Sequence, residues 1–454
     1  MSDAGIKVPD AVRSSFTGDL LSPGDDGYED ARRIHNGMID KRPALIARCR
    51  TTEDVVAAVN IGREAGVEIS IRGGGHNVAG KAVTDGGLMI DLALMTAVEV
   101  DPEARTITAE GGTTWGQFNN ATYPHGLATT GGTVSTTGIA GLTLGGGVGW
   151  LMGRYGLACD NLLAVEVVTA TGEVVVASED EHPDLFWGLK GGGGNFGVAT
   201  RFTYRAHPVK DVTGGVLAYP VDQARAVFDL FRRATKNASD DLGMGAGFLA
   251  APDGSGAKMV AFPICHAGDP AAAEAELAPL RTGDVKPALE LIGEVPYPIV
   301  NTLLDVSFPK GAWNYWKSAF FTDLSDAAIE VMIDAYAKAP SDMSLLTVEH
   351  VHGAAARIDP AATAFPHRQE GYNSLILAQW ADPADTDANV AWARETFEAL
   401  RPYMAERRYV NYLSADDGGF VRQAYGENWQ RLVELKRTWD PHNLFRLNQN
   451  ISPA

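Results

Sequence analysis

Three consecutive glycines followed by a histidine form the stretch of the chain best suited to chemistry, in the run Arg72-Gly73-Gly74-Gly75-His76. An apolar, strand-like run that ends at Ile71 precedes them. Glycines at this density let the backbone turn through positive φ and bring N–H groups close to a ligand, which is typical of a diphosphate site. The histidine adds a group that phosphate binding alone does not require. The alternative is a glycine-rich hairpin with a histidine on the surface.

Two further glycine-rich segments follow, at residues 131–149 and 191–197. Residues 131–149 carry too few bulky side chains to form a core of their own, so they suit a backbone wrapped around a ligand. Three such loops at the ends of predicted elements indicate a long ligand. The sequence lacks the lysine and Ser/Thr of a P-loop, and no G-x-G-x-x-G run opens a helix at the first loop. A different fold must therefore hold the ligand.

The secondary-structure elements that must position these loops are predicted to be of different kinds in different parts of the chain. Residues 42–71 alternate strand, helix and strand, which is an α/β opening. From about Val212 the glycines thin out, and helices alternate with strands of a predicted antiparallel sheet. Near the C-terminus, Tyr409–Tyr412 is predicted to be a short strand, and Gly426–Arg437 an amphipathic helix that ends before Pro441. The predicted fold class is α+β.

Composition limits the partners and the compartment. The formal charge of −19 over 454 residues argues against nucleic acid and anionic membrane surfaces as partners. The cysteines Cys49, Cys159 and Cys265 are odd in number and far apart, which predicts neither a metal motif nor a disulfide framework. No secretory signal and no apolar run of about 18 residues are visible. We therefore expect a cytoplasmic protein without a membrane span.

Taken in order, several motifs resemble those of one enzyme family. The motifs are Arg72–His76, Gly145–Gly149, Tyr155-Gly156-Leu157 with Asp160-Asn161, Gly193–Gly197, Tyr409–Tyr412, and Trp439-Asp440-Pro441 with Leu444-Phe445-Arg446. Together they are similar to FAD-linked oxidases of the vanillyl-alcohol-oxidase superfamily, which have a PCMH-type FAD-binding domain, and most of all to the berberine-bridge-enzyme-like branch. The first two hundred residues also resemble bacterial 6-hydroxy-D-nicotine oxidase.

The resemblance implies a domain plan. Residues 40–210 would form the FAD-binding domain, made of two α/β subdomains, after a lead-in over residues 1–39. Residues 211–404 would form the substrate domain, an antiparallel sheet covered by helices. Residues 405–454 would return to the FAD domain as a berberine-bridge-like segment.

The resemblance also implies the cofactor contacts. His76 matches the histidine that family members bond covalently to the flavin, while Val134 replaces the cysteine that makes a second bond in some members. One covalent bond to FAD is therefore expected. The predicted cofactor-binding residues are Arg72, Gly73, Gly74, Gly75, His76, Asn77, Gly80, Thr136, Thr137, Gly138, Gly141, Gly145, Gly146, Gly149, Cys159, Asp160, Asn161, Val165, Gly197, Val198, Tyr409, Asn411 and Asn448.

Two tyrosines are the predicted catalytic residues by the same resemblance. Tyr412 matches a catalytic base, and Tyr155 matches a tyrosine that flanks the substrate. Free tyrosine titrates near pH ~10, so a nearby cation or hydrogen-bond donors would have to stabilise the Tyr412 phenolate. The alternative for each is a buried tyrosine whose hydroxyl is merely hydrogen-bonded.

Three residues of the middle region are candidates for the substrate pocket. His350 and His352 alternate onto one face of a predicted strand, and Gln379 lies on another. With Val348, these histidines replace a lysine and two glutamates of nicotine-oxidase-like proteins, which weakens an amine-oxidase interpretation. A metal held by the two histidines is less favoured, because no third ligand is evident.

The sequence and the resemblance together predict an FAD-dependent oxidoreductase that oxidises a C–OH group of a sugar, alcohol or secondary metabolite. Hydride would pass to flavin N5, with O₂ as acceptor and H₂O₂ as product. The alternatives are amine oxidation, oxidative ring closure, a dehydrogenase with another acceptor, and a flavin-carrying binding protein. The polar Thr137 occupies a position that influences the access of oxygen to the flavin in relatives. Its polarity does not decide between an oxidase, which uses O₂ as acceptor, and a dehydrogenase, which uses another acceptor.

Overall fold

The computed structural model describes residues 6–251, 254–283 and 285–453. The strands in this part of the chain are β1 (Asp19–Leu21), β2 (Leu45–Arg48), β3 (Ile69–Arg72), β4 (Leu88–Asp91), β5 (Val98–Asp101), β6 (Thr106–Glu110), β7 (Leu127–Ala128), β8 (Leu162–Val168), β9 (Val174–Ser178), β10 (Val198–Arg205), β11 (His207–Pro208), β12 (Asp211–Pro220), β13 (Leu242–Ala250), β14 (Lys258–His266), β15 (Leu289–Pro296), β16 (Trp313–Phe321), β17 (Leu345–Val351) and β18 (Gly371–Trp380). The helices are α1 (Asp10–Ser15), α2 (Tyr28–Ala31), α3 (Thr52–Ala65), α4 (Trp115–Thr122), α5 (Ile139–Leu144), α6 (Met152–Tyr155), α7 (Pro183–Leu189), α8 (Ala224–Lys236), α9 (Pro270–Thr282), α10 (Tyr297–Val300), α11 (Asp326–Ala337), α12 (Ala354–Arg357), α13 (Thr386–Leu400), α14 (Val421–Tyr425) and α15 (Trp429–Trp439).

The first sheet has the order β1-β2-β4-β3, and β4 pairs in parallel with both β2 and β3. Helix α3 connects β2 to β3 and packs on this sheet through Val55, Ala58 and Val59. The Thr51 side chain caps the helix by accepting a hydrogen bond from the Asp54 N–H. This arrangement places the end of β3, and therefore the first glycine loop, at the carboxyl edge of the sheet.

The second sheet is antiparallel, in the order β5-β6-β10-β8-β9. Its core includes Phe186 and Leu189 of α7 and, from the C-terminal end of the chain, Leu432 and Leu435 of α15. Leu432 and Leu435 are buried and lie three positions apart, which puts them on one helix face. The C-terminal helix thus packs on a sheet formed by the first half of the chain.

The largest sheet is antiparallel and has the order β15-β12-β14-β13-β17-β18-β16. One face packs against α8, α9, α11 and α13 around buried residues such as Phe228, Phe262 and Leu346. The other face points towards the glycine loops. Because side chains alternate along a strand, each strand contributes every second residue to each face. The α+β class, with an antiparallel sheet covered by helices, is confirmed.

Within the described residues, no helix has both the length and the apolar character needed to cross a membrane. The cytoplasmic location stays a prediction.

Candidate active site

A cavity of about 770 Å³ lies between the glycine loops and the open face of the seven-stranded sheet. Many residues predicted from the sequence meet in its wall. Those lining it are Gly73, Gly74, Gly75, His76, Asn77, Val134, Thr137, Gly138, Gly141, Gly149, Gln379, Tyr409, Asn411 and Tyr412. The fold therefore brings together loops that lie up to 339 positions apart between Gly73 and Tyr412 in the chain.

The first two glycine loops pack backbone against backbone. A Cβ added to Gly74 would lie 2.3 Å from the Gly138 nitrogen, so no side chain fits between the loops. Gly75 has a φ of +72°, a conformation that favours glycine. Among the described residues, the backbone N–H groups of Gly74–Asn77 donate to no protein acceptor. Free N–H donors on the wall of a cavity suit an anionic group such as a diphosphate.

His76 stands at the end of this cradle and is held from three sides. Its Nε2 lies 2.9 Å from Thr136 Oγ1, and its Nδ1 lies 3.4 Å from Thr137 Oγ1. The ring stacks on His35 with centroids 4.0 Å apart. Burial, helped by His35 and Lys310, lowers the pKa of His76 to about 3. The imidazole is therefore neutral at physiological pH, with a nitrogen lone pair for bond formation.

Tyr409 and Tyr412 enter the cavity from a 3₁₀ turn over Val410–Tyr412, where the sequence predicted a strand. In a 3₁₀ turn residues three apart lie on the same side, whereas in a strand they face opposite ways. The two tyrosine rings accordingly pack with centroids 4.9 Å apart. Tyr409 Oη accepts hydrogen bonds from the N–H groups of Gly147 and Val148, which fixes the turn against the second glycine loop.

Glu349 on β17 is the site residue that sequence reasoning missed. Tyr412 Oη donates to its Oε1 at 3.0 Å, and Asn373 Nδ2 donates to its Oε2 at 2.7 Å. Burial raises the pKa of Glu349 to about 7. The available signal was the alternation Leu345, Thr347, Glu349, which places a carboxyl on an otherwise weakly polar face.

The expected stabilisation of a Tyr412 phenolate is not what the structure contains. Among the described residues, no cation contacts the Tyr412 hydroxyl, which donates to a carboxylate instead. Burial, the charge of Glu349 and the neighbouring Tyr409 hold the pKa of Tyr412 well above its usual value. Tyr412 is therefore protonated at rest, and Glu349 is the group able to accept its proton.

Tyr155 does not line the cavity, and its contact with the substrate stays a prediction. Its ring stacks on His207 with centroids 3.8 Å apart and an interplanar angle of 12°. Tyr155 is the last residue of the short helix α6, and its side chain packs beside the buried Trp150 and Leu151. Trp150, not Tyr155, lies in the cavity wall.

His350 and His352 also lie outside the cavity, which corrects their assignment as pocket residues. Even-numbered residues of β17 face the helix-covered side, because Leu346 and Val348 belong to that core. The His350 ring lies 5.5 Å from Tyr372 and stacks on His352, whose Nε2 contacts the Ser239 carbonyl oxygen at 3.1 Å. Gln379 does line the cavity and donates to the Ser307 carbonyl at 3.1 Å.

Arg72 holds the scaffold with its side chain. Its guanidinium pairs with the buried Asp91, with Nε donating to Oδ1 at 2.8 Å, and also donates to the carbonyls of Ala31 and Arg33. This pair fixes β3 to β4 and to the lead-in. The guanidinium is thus engaged by the protein, and the predicted contact of Arg72 with the cofactor stays a prediction.

The other predicted cofactor residues surround the cavity without lining it. Asp160 is paired with the buried Arg368 at 2.7 Å, and Val165 and Val198 lie in hydrophobic cores. Asn448 donates to the Gly194 carbonyl. The residues of this group are Gly80, Thr136, Gly145, Gly146, Cys159, Asp160, Asn161, Val165, Gly197, Val198 and Asn448. For them, as for the residues that line the cavity, contact with the cofactor stays a prediction.

Comparison with known proteins agrees with this architecture. Residues 43–178 match the model of an FAD-binding domain, and residues 408–452 match the model described as berberine and berberine-like. The chain is 32% identical to (R)-6-hydroxynicotine oxidase of Paenarthrobacter nicotinovorans, over 98% of each chain. The crystal structure of 6-hydroxy-D-nicotine oxidase from Arthrobacter nicotinovorans superposes with a TM-score of 0.87 at 30% identity, covering 97% of this chain and 99% of that one. Berberine bridge enzyme from Eschscholzia californica shares the fold, with a TM-score of 0.87 at 21% identity over 99% of each chain.

The chain therefore belongs to the FAD-linked oxidoreductases that combine a PCMH-type FAD-binding domain with a berberine-bridge-enzyme-like segment. The site suits this cofactor: free N–H groups in the glycine cradle fit the diphosphate, and a neutral histidine stands at the end of the cradle.

Proposed function

We propose that the protein oxidises a C–OH group of a small molecule, with Tyr412 and Glu349 together taking the hydroxyl proton. The observation that carries this proposal is the 3.0 Å hydrogen bond from Tyr412 Oη to a carboxyl whose pKa is about 7. A base with this pKa is half ionised near neutral pH, which suits general base catalysis.

The two side chains move one proton between fixed atoms. Tyr412 Oη accepts the proton of the substrate hydroxyl while it passes its own proton to Glu349 Oε1. The carbon atom loses hydride in the same step, so the C–OH group becomes a carbonyl group. FAD, when bound, supplies the two-electron acceptor for the hydride, and O₂ takes these electrons to give H₂O₂.

Removal of the Tyr412 hydroxyl tests the proposal. We expect Tyr412→Phe to lower kcat with an alcohol substrate by about 10²–10⁴, the usual worth of a general base. Tyr336→Phe is the matched control, because its hydroxyl is buried on the helix-covered face and has no hydrogen-bond partner among the described residues. Wild-type kcat/KM should rise with pH through about 7, as Glu349 loses its proton, and Glu349→Gln should abolish that rise. An unchanged kcat in Tyr412→Phe would contradict the proposal.

We also propose that His76 bonds covalently to the flavin and that this is the single attachment. The neutral imidazole, held by Thr136 and Thr137, supports the bond, and Val134 in the cavity wall offers no thiol for a second one. Acid precipitation should leave the flavin colour in the wild-type pellet, and His76→Ala should release it to the supernatant. A colourless wild-type pellet would refute the covalent bond and leave FAD binding intact.

Amine oxidation is the second candidate function. Among the described residues, Glu349 has no cationic partner, so the carboxylate could take the proton of a bound ammonium group and leave a neutral amine. The 32% identical relative is a 6-hydroxynicotine oxidase. A neutral amine needs no base for hydride loss, so undiminished amine turnover in Tyr412→Phe would favour this function over C–OH oxidation.

A further inference from the structure

The cavity continues far beyond Glu349, across the open face of the seven-stranded sheet. Its wall includes Leu345 on β17, Met259 on β14, Val216 on β12 and Leu291 on β15. Four strand spacings separate β17 from β15 in the sheet order, which corresponds to about 19 Å. This extension is too long for a small alcohol and forms a channel that leads away from the reactive end.

The floor of the channel is flat where β13 crosses it. Gly243, Gly245 and Gly247 alternate with Met244 and Ala246 along this strand. Met244 and Ala246 belong to the helix-covered core, so the glycines face the cavity, whose wall they form. Three missing side chains in one row leave room for a flat or extended body.

Polar and charged groups line the cavity beside β17 and β18 and are scarce along β14, β12 and β15. Glu349, Tyr412 and Asn411 lie at the reactive end, and Gln379 and Asp342 lie near the opposite end of β17. The strands β14, β12 and β15 contribute mostly aliphatic side chains to the cavity wall. The described lining contains no lysine or arginine. A carboxylate or phosphate on the substrate would find no counter-charge, and a sugar would leave most of its hydroxyls without partners.

Two aliphatic side chains of the cavity wall are also exposed to solvent. Leu291 is 61% exposed and Val306 is 71% exposed, and both line the same cavity. Single exposed aliphatic residues are common on protein surfaces, but each of these two continues the apolar wall of the cavity to the solvent.

We propose that the substrate is an elongated, uncharged and mostly apolar molecule that carries its oxidisable hydroxyl at one end. The hydroxyl lies at Glu349 and Tyr412, and the apolar body crosses β13, β14 and β12 towards Leu291. The position of the hydroxyl rests on the proposed function, whereas the binding of the body does not.

The test separates binding from chemistry. Alkylbenzenes with ethyl, butyl, hexyl and octyl chains, which carry no hydroxyl, are titrated into the holoenzyme by calorimetry. We expect Kd to fall roughly two- to fourfold per methylene, as burial of apolar surface predicts. The benzyl alcohols with the same para-alkyl chains are then mixed anaerobically with the holoenzyme, and bleaching of the flavin absorbance reports turnover.

Variants at these two exposed residues of the cavity wall locate the body of the ligand. Val306→Asp and Leu291→Asp should weaken octylbenzene binding about tenfold and leave ethylbenzene binding unchanged. Val174→Asp is the matched control, because Val174 is 45% exposed on β9 and lies outside the cavity wall. Since all three side chains are exposed, none of these changes should prevent folding.

Each outcome has one meaning. Chain-length-dependent binding without bleaching by any alcohol supports the channel and contradicts the proposed C–OH oxidation. Bleaching by short alcohols or by glucose, with Kd independent of the length of the alkyl chain, supports C–OH oxidation. It overturns the proposal that the channel binds an apolar substrate body. Equal weakening by Val174→Asp and Val306→Asp would also overturn it.

Discussion

Among the residues that the structure describes, the carboxyl of Glu349 has only neutral hydrogen-bond partners, Tyr412 Oη at 3.0 Å and Asn373 Nδ2 at 2.7 Å. Two donors do not replace the water that an ionised carboxylate would hold in solution, so burial raises its pKa to about 7. The same desolvation that makes this group a base near neutral pH makes its ionised form costly to the fold.

Glu349→Gln should therefore change stability in a pH-dependent way. An unfolded glutamate loses its proton near pH ~4.3, and the folded one near pH 7, so wild-type stability falls as pH rises between these values. The loss is complete well above pH 7 and amounts to at most about 4 kcal/mol. The variant should have a higher Tm than wild type at pH 8 and a similar Tm at pH 4.5. The control Glu395→Gln, on the exposed side of α13, should show no such difference. Equal Tm differences at both pH values would contradict the prediction.

At the scale of elements, the site depends on loops that approach without side chains between them. Gly74 and Gly138 come from the ends of β3 and the segment before α5, and a Cβ on either would collide with the backbone of the other at 2.3 Å. Backbone cannot move aside as the end of a flexible side chain can, so these positions tolerate only glycine.

Gly74→Ala should accordingly separate the two loops. We expect a lower Tm, a loss of about 1–3 kcal/mol in the free energy of unfolding, and less FAD retained after gel filtration. Gly194→Ala is the control from the third glycine loop, because a Cβ there meets no atom within 4 Å and its φ is not positive. If Gly74→Ala had the same Tm as Gly194→Ala and kept as much FAD after gel filtration, the prediction that the two loops require this close approach would be contradicted.

At the scale of the whole molecule, one asparagine of the lead-in joins distant parts of the chain. Asn36 Nδ2 donates to the carbonyls of Val78 and Asn314, both at 2.9 Å, and its Oδ1 accepts from the N–H groups of Asn314 and Met38. Asn36 is 2% exposed. It thereby ties the segment after the first glycine loop to β16 of the large sheet.

Asn36→Ala should leave these buried backbone groups without partners. An unsatisfied buried group costs about 1–3 kcal/mol, so the variant should unfold at a clearly lower denaturant midpoint. Asn237→Ala removes an exposed amide whose one hydrogen bond within the described part of the chain is to the Arg233 carbonyl of its own helix, and it should change the midpoint little. Similar midpoints for the two variants would contradict the bridging role.

The site has a cofactor side, formed by the glycine loops and His76, and a substrate side, formed by the seven-stranded sheet. The sequence predicted the first side better than the second. The glycine loops and His76 were identifiable, because glycine clusters and their order are local features that need no tertiary contact. The strands β12, β13 and β15 were not predicted: β13 carries three glycines, and glycine weakens any strand signal. Because these strands were not predicted, the channel over the sheet could not be predicted from the sequence either.

Chain-local pattern also predicted the α+β class and a diphosphate cradle, whereas the resemblance to the enzyme family predicted FAD and Tyr412 as a site residue. Only the tertiary structure decided which side of β17 faces the cavity, and with it the choice of Glu349 over His350 and His352. The physical reason is that strand alternation defines two faces but does not say which one is covered by helices. It likewise decided that the segment before Tyr412 turns as a 3₁₀ helix, since the bonds from Gly147 and Val148 to Tyr409 come from far away in the sequence.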